Sequence, residues 1–210
     1  MRDLRDIVSR NLLPHLEQPS QYVGLEHNAC ATDPLAADVR CVMAFPDAYT
    51  VGISHLGSQL LYAMLNEIDW CMCDRAYCPP PTGEAVFREK AVPLFGWESR
   101  YALADFDVVG FSMGYELGAC NMLTMLDLAG IPLLAADRDE SHPLIVMGDA
   151  MADTPELLAD FVDVVLPGDG EVPLRQLVAL LRETKAASLS REQTLRRIAT
   201  ELESCYVPRF

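Results

Sequence analysis

The sequence predicts an α/β fold, a parallel sheet of about five strands covered on both faces by helices. Three observations predict it. Apolar strand-like runs alternate with segments of helical spacing about five times along the chain, and such alternation implies parallel strands joined by crossover helices. Clusters of Pro, Gly and Asp separate the runs and break both periodicities. Half of the 210 residues are hydrophobic, enough to bury a sizeable core.

Residues 1–38 read as an arm. Residues 2–16 suit a short helix that stops near Pro14, followed by an extended or turning stretch over 18–27 and a loop through Asp33 and Pro34. The α/β domain proper spans 39–187. Residues 39–45, Val-Arg-Cys-Val-Met-Ala-Phe, read as a buried strand ended by Pro46 and Asp47. Leu56, Leu60, Leu61, Met64 and Leu65 predict a helix over 56–68. Residues 70–76 form a second expected strand, closed by three prolines at 79–81, with a short helix over 84–90 and a short strand over 92–95. The strand over 107–113 leads into a helix over 121–129, where Gly130 suits a left-handed cap. Residues 144–147 are another strand. Thr154 is expected to cap a helix over 155–161 with Pro155 at its first position, where the missing N–H costs nothing. The last core strand, 162–166, is followed by a helix to about Lys185. Residues 188–210 read as a C-terminal helix over 191–204 and a tail.

The formal net charge of -15 argues against nucleic acid as a partner, because phosphate binding relies on a basic footprint. No apolar run approaches the roughly 20 residues needed to cross a bilayer, and residues 1–6 lack the apolar stretch of a signal peptide. Seven cysteines, an odd count without a regular framework, fit reduced thiols. The expected location is the cytoplasm, with no membrane contact.

In such a sheet every strand-to-helix loop opens on one edge, and ligands bind in the crevice there. Four loops on that edge carry unusual residues. The first, after residue 45, holds Asp47, Ser54, His55 and Gly57; the second holds Ser112, Tyr115 and Glu116; the third Gly148 and Asp149; the fourth Gly168, Asp169, Gly170 and Glu171. Each has a plain alternative. The glycines of the fourth loop can serve only its turn, with Asp169 and Glu171 favourable at a helix start. His55 suits a metal ligand or a hydrogen-bonding loop residue, and Tyr115 a pocket wall or simple packing. Cys71, Cys73 and Cys78 are spaced C-x-C-x4-C; Cys71 and Cys73 share a strand face and can chelate zinc or an iron–sulfur cluster, or serve as buried thiols. There is no Gly-x-Ser-x-Gly elbow, no phosphate-binding Gly-Lys-Ser or Gly-Lys-Thr loop, no His-Glu-x-x-His helix and no dinucleotide fingerprint after the first strand. No catalytic set emerges.

Residues 44–57, Ala-Phe-Pro-Asp-Ala-Tyr-Thr-Val-Gly-Ile-Ser-His-Leu-Gly, resemble the opening of one family of cobalamin-binding-type radical S-adenosylmethionine proteins. So do Pro93-Leu-Phe95, Glu98-Ser-Arg100, the strand at 106–112, Tyr115-Glu-Leu117, residues 125–134, residues 137–141, Gly168-Asp-Gly-Glu171 and, in the arm, residues 21–26. The resemblance implies a flavodoxin-like (Rossmann-like) domain that holds cobalamin among the four loops and presents it to a radical S-adenosylmethionine barrel, in cis or in trans. His55 would be the histidine placed for the cobalt, and binding without a protein histidine is the equal alternative. In relatives a C-x3-C-x2-C motif in the barrel binds the four-iron cluster; these residues contain no such motif, so neither a cluster nor an S-adenosylmethionine site is expected in them. Two departures stand out. The Asp-x-His-x-x-Gly motif of many cobalamin domains is absent around His55, and Met147-Gly-Asp-Ala150 replaces the usual Gly-Gly-Pro. They support an alternative, an interaction module that kept the fold and lost the cofactor.

Overall fold

The structure is a computed structural model that describes residues 1–30 and 33–210. Five strands form one parallel sheet: β1 Val39–Phe45, β2 Cys71–Tyr77, β3 Val108–Ser112, β4 Leu144–Gly148 and β5 Val164–Val165, in the order β2-β1-β3-β4-β5. This is the flavodoxin-like order, whose winding reverses between β1 and β3. The main helices are α1 Leu56–Asn66, α2 Pro81–Glu89, α3 Gly118–Ala129, α4 Glu171–Ala186 and α5 Arg191–Glu201. The predicted fold class is the observed one. None of these helices is long and apolar enough to cross a membrane, among the described residues.

Strand alternation divides the core. Val42, Val109, Phe111, Ile145 and Met147 face α2 and α3, while Cys41, Met43, Val108, Val146 and Val164 face α1, α4 and α5. The segment ahead of β1 packs onto the first face through Leu4, Val8, Leu12, Leu16 and Tyr22. It is wound but is not one α-helix: an α turn Arg5–Ile7 passes into a π turn Val8–Leu12 and a 3-10 turn Leu13–His15 that accommodates Pro14. The loop expected up to Asp33 and Pro34 runs through residues 31 and 32, which lie outside the described residues.

Two further local expectations fail for identifiable reasons. Residues 92–95 form no strand. Pro93 has no N–H to give a ladder, the Leu94 N–H goes to Leu128 O at 3.0 Å, and Phe95 alone pairs, in an isolated bridge with Ala102. Residues 155–161 hold only a 3-10 turn, Pro155–Leu157, without a capping bond from Thr154. There the Asp160 and Phe161 carbonyls accept from Ala135 N and Arg138 Nη2 instead of a helical ladder. The tail is no loose end: Tyr206 exchanges two backbone bonds with Val165, at 2.7 and 2.8 Å, extending the sheet beyond β5.

Buried charge sits at the flanks in matched sets. Asp163 takes Arg138 Nη1 at 2.9 Å, Arg191 Nη2 at 2.8 Å and the Ile145 N–H at 2.8 Å. On β2, Arg75 donates through Nε to Glu98 at 2.7 Å and pairs with Glu26 at 3.5 Å. Along the same outer strand the outward backbone groups are occupied. The Asn66 amide takes both the N–H and the C=O of Cys73, each at 3.0 Å; Arg75 N–H goes to Asp74 and Glu98, and Arg75 O accepts from Trp97 N at 2.8 Å.

Candidate functional site

Parallel strands bring the four singled-out loops to the carboxyl edge. After β1 the Asp47 carboxylate accepts the Ala48 N–H at 2.7 Å and starts a helical turn, Tyr49–Gly52. A Cβ at Gly52 would lie 2.6 Å from the Tyr77 ring, so only glycine lets this turn close against the edge. His55 then caps α1: its Nδ1 accepts the Ser58 N–H at 3.2 Å and lies 2.9 Å from Ser58 Oγ. The ring rests on Phe45, with centroids 4.9 Å apart.

The loop after β4 is strained. Asp149 has φ 74° and ψ -167°, a region open to glycine and costly for any other residue. Its carboxylate holds the geometry, accepting Ala150 N–H and Ser112 Oγ–H at 2.8 Å each, and Oδ2 lies 3.7 Å from His55 Nε2. After β5, Gly168 turns the chain at φ 76° and α4 begins at Glu171, an acid favourable in the first turn.

These loops enclose a cavity of about 280 Å³ between α1 and α4, over the sheet face on which β1 and β3 meet. Its apolar walls are Met43, Leu60, Leu61, Val146, Leu166 and Leu174, with Gly110 at the mid-strand position of β3. A Cβ on Gly110 would meet only ordinary contacts, the nearest Met43 Sδ at 3.6 Å. The polar lining is His55, Ser112, Asp149, Asp169 and Glu171; among the described residues no lysine or arginine contributes.

The structure brings together His55, Gly57, Ser112, Gly148, Asp149, Gly168, Asp169, Gly170 and Glu171 around this cavity. Asp47, Ser54, Tyr115 and Glu116 are on the same edge but do not line it. Tyr115 donates to the Asp47 carboxylate, which holds its phenol above the ordinary value, and Ser54 Oγ donates to Val51 O at 3.1 Å. Glu116 is exposed, its carbonyl accepting the Ala119 N–H. The apolar walls were not singled out in the sequence, although the alternation that places Met43, Gly110 and Val146 on one face was present. The cysteine trio is split. Cys71 and Cys73 join Cys41 on the α1 face, whereas Cys78, an odd number of positions on, packs on the other. Among the described residues no group of three or more His, Cys, Asp or Glu is arranged to hold a metal ion. Burial pushes the Cys73 thiol well up and the Cys78 thiol to about 12, which disfavours the thiolate a metal requires.

Fold and cavity define a class: a doubly wound α/β domain of flavodoxin-like order with a recess at the carboxyl edge of its sheet. Residues 57–208 match the family described as radical SAM proteins, N-terminal, and the chain belongs to that family. No curated protein and no solved structure matches it. The membership bears out the expected radical S-adenosylmethionine association. Most of the Ala44–Gly57 motif precedes the matched residues.

Proposed function

We propose that this chain is a cobalamin-binding N-terminal domain that works beside a radical S-adenosylmethionine barrel, in cis or in trans. The observation that carries the reading is the cavity at the switch point of the sheet, with apolar walls and a side-chain-free position at Gly110. A flat uncharged ring, such as the base of the cofactor's nucleotide tail, suits those walls. Asp149, Asp169 and Glu171 disfavour a phosphate inside, so the anionic part of the tail belongs at the mouth. Leu61 and Leu174 would bury the ring and exclude water; Ser112 and His55 would orient it. The corrin, when bound, supplies organometallic chemistry that no side chain of this chain can supply. The partner barrel supplies S-adenosylmethionine cleavage.

Mixing the protein with hydroxocobalamin, desalting and recording the visible spectrum tests the reading. Retained corrin absorbance near one equivalent is the expected result, and a colourless protein rejects it. The second reading, an interaction module that lost its cofactor, draws on Asp149 standing where a glycine backbone is needed. A colourless protein that still co-purifies with a radical S-adenosylmethionine barrel would select that reading.

A further inference from the structure

His55 has its two ring nitrogens in different roles, and the structure decides which carries the proton. Nδ1 accepts the Ser58 backbone N–H at 3.2 Å. An N–H can only donate, so Nδ1 must present its lone pair, and in the neutral ring the proton belongs on Nε2. Nε2 points across the cavity mouth toward the Asp149 carboxylate, 3.7 Å away, which favours a proton there. That distance is beyond a hydrogen bond, and among the described residues Nε2 makes none. Phe45 under the ring and the helix cap at Ser58 fix its orientation.

We propose that His55 is a specificity-determining residue of this cavity: a fixed Nε2–H donor that reads an acceptor atom, a ring nitrogen or carbonyl oxygen, on the uncharged ring that enters. This rests on the proposed function for the identity of the guest, but not for the state of the imidazole. A protonated Nε2 has no lone pair for a metal. Coordination would require the proton to move to Nδ1 and break the cap on α1. His55 would therefore meet a bound cofactor as a hydrogen-bond donor and not as a ligand of its metal.

Three measurements test the inference, the first of them independently of the reading beneath it. In the free protein labelled with ¹⁵N-histidine, at about pH 8, above the ordinary histidine value, long-range ¹H–¹⁵N spectra should show a protonated Nε2 and a bare Nδ1 for His55. The His55→Gln variant assigns the signal. A bare Nε2 overturns the proposal whether or not any corrin binds. With cob(II)alamin bound, ¹⁵N-histidine labelling should leave the nitrogen hyperfine pattern of the cobalt unchanged; a changed pattern overturns it. Glutamine reproduces the position of Nε2 and asparagine that of Nδ1. His55→Gln should thus hold hydroxocobalamin within about threefold of the parent, and His55→Asn, folded and still capped, about tenfold more weakly. Equal losses in the two variants, or none in His55→Asn, refute the donor role. Failure to retain any corrin would reject the proposed function while leaving the spectra of the free protein to decide the imidazole.

Discussion

The cavity and the flanks of the sheet treat acidic side chains in opposite ways. At the flanks, Asp163 and Glu98 are enclosed and each meets guanidinium groups, Arg138 with Arg191 in one case and Arg75 in the other. Around the cavity, Asp149, Asp169 and Glu171 face no lysine or arginine among its lining. Water accounts for the difference. A carboxylate sealed from solvent needs a partner or a proton, whereas one at an open mouth is solvated and remains free to act on a guest. Enclosed acids at the flanks are therefore neutralised, Asp163 by two guanidinium groups and Glu98 by a retained proton, whereas the acids around the cavity are left to solvent.

The sharpest way to break this contrast is at Asp163. Asp163→Ala leaves Arg138 and Arg191 buried without a carboxylate, and the expected loss is about 3–5 kcal/mol of unfolding free energy, read from urea denaturation. A loss no larger than that of a surface substitution would erase the distinction between flank and site.

Glu98 tests the same point by pH. Burial and the adjacent Asp74 carboxylate push its carboxyl up to about 10, against the pull of Arg75. The folded chain thus keeps a proton that the unfolded chain releases above the ordinary glutamate value of about 4.3. Stability from this group is complete below that value and is lost as pH rises toward about 10. Glu98→Gln, which cannot titrate, should flatten the decline by up to about 1 kcal/mol per pH unit. Parallel stability–pH curves for the two proteins would show that Glu98 ionises as an ordinary carboxylate.

Inside the cavity the expected signs reverse, with binding moving more than stability. Gly110→Leu places a side chain in the recess, where even its Cβ has ordinary room. Hydroxocobalamin retention should fall at least about tenfold while the urea midpoint moves little. The smallest effect belongs to Asp149. Both Asp149→Gly and Asp149→Ala lose the bond to Ser112, but only glycine relaxes at φ 74°. The glycine variant should be the more stable of the two by about 1 kcal/mol.

Much of this was legible in the sequence. The runs at 39–45 and 107–113 are largely apolar strands, Leu56 to Leu65 mark one helix and Gly130 the end of another, and parallel topology alone carries His55, Ser112, Asp149 and Gly170 to one edge. The strand order came through the family resemblance, since periodicity does not say which strands are neighbours. What stayed hidden depends on distant partners. Nothing near Leu94 announces that Leu128 takes its N–H, nor anything near Thr154 that Arg138 takes the Phe161 carbonyl. The cavity walls stayed hidden for a related reason. Met43 and Leu174 read as core, and whether a core position faces a neighbour or a void depends on Gly110, far away in sequence.

The Asn66 amide on Cys73, with Asp74, Glu98 and Trp97 around Arg75, has a consequence for assembly. An outer strand with free peptide groups is a template onto which a foreign chain can zip, and β2 offers no such template along that stretch. A chain that meets β2 along this stretch finds side chains rather than free peptide groups, and Asn66 is the residue that keeps the Cys73 pair closed.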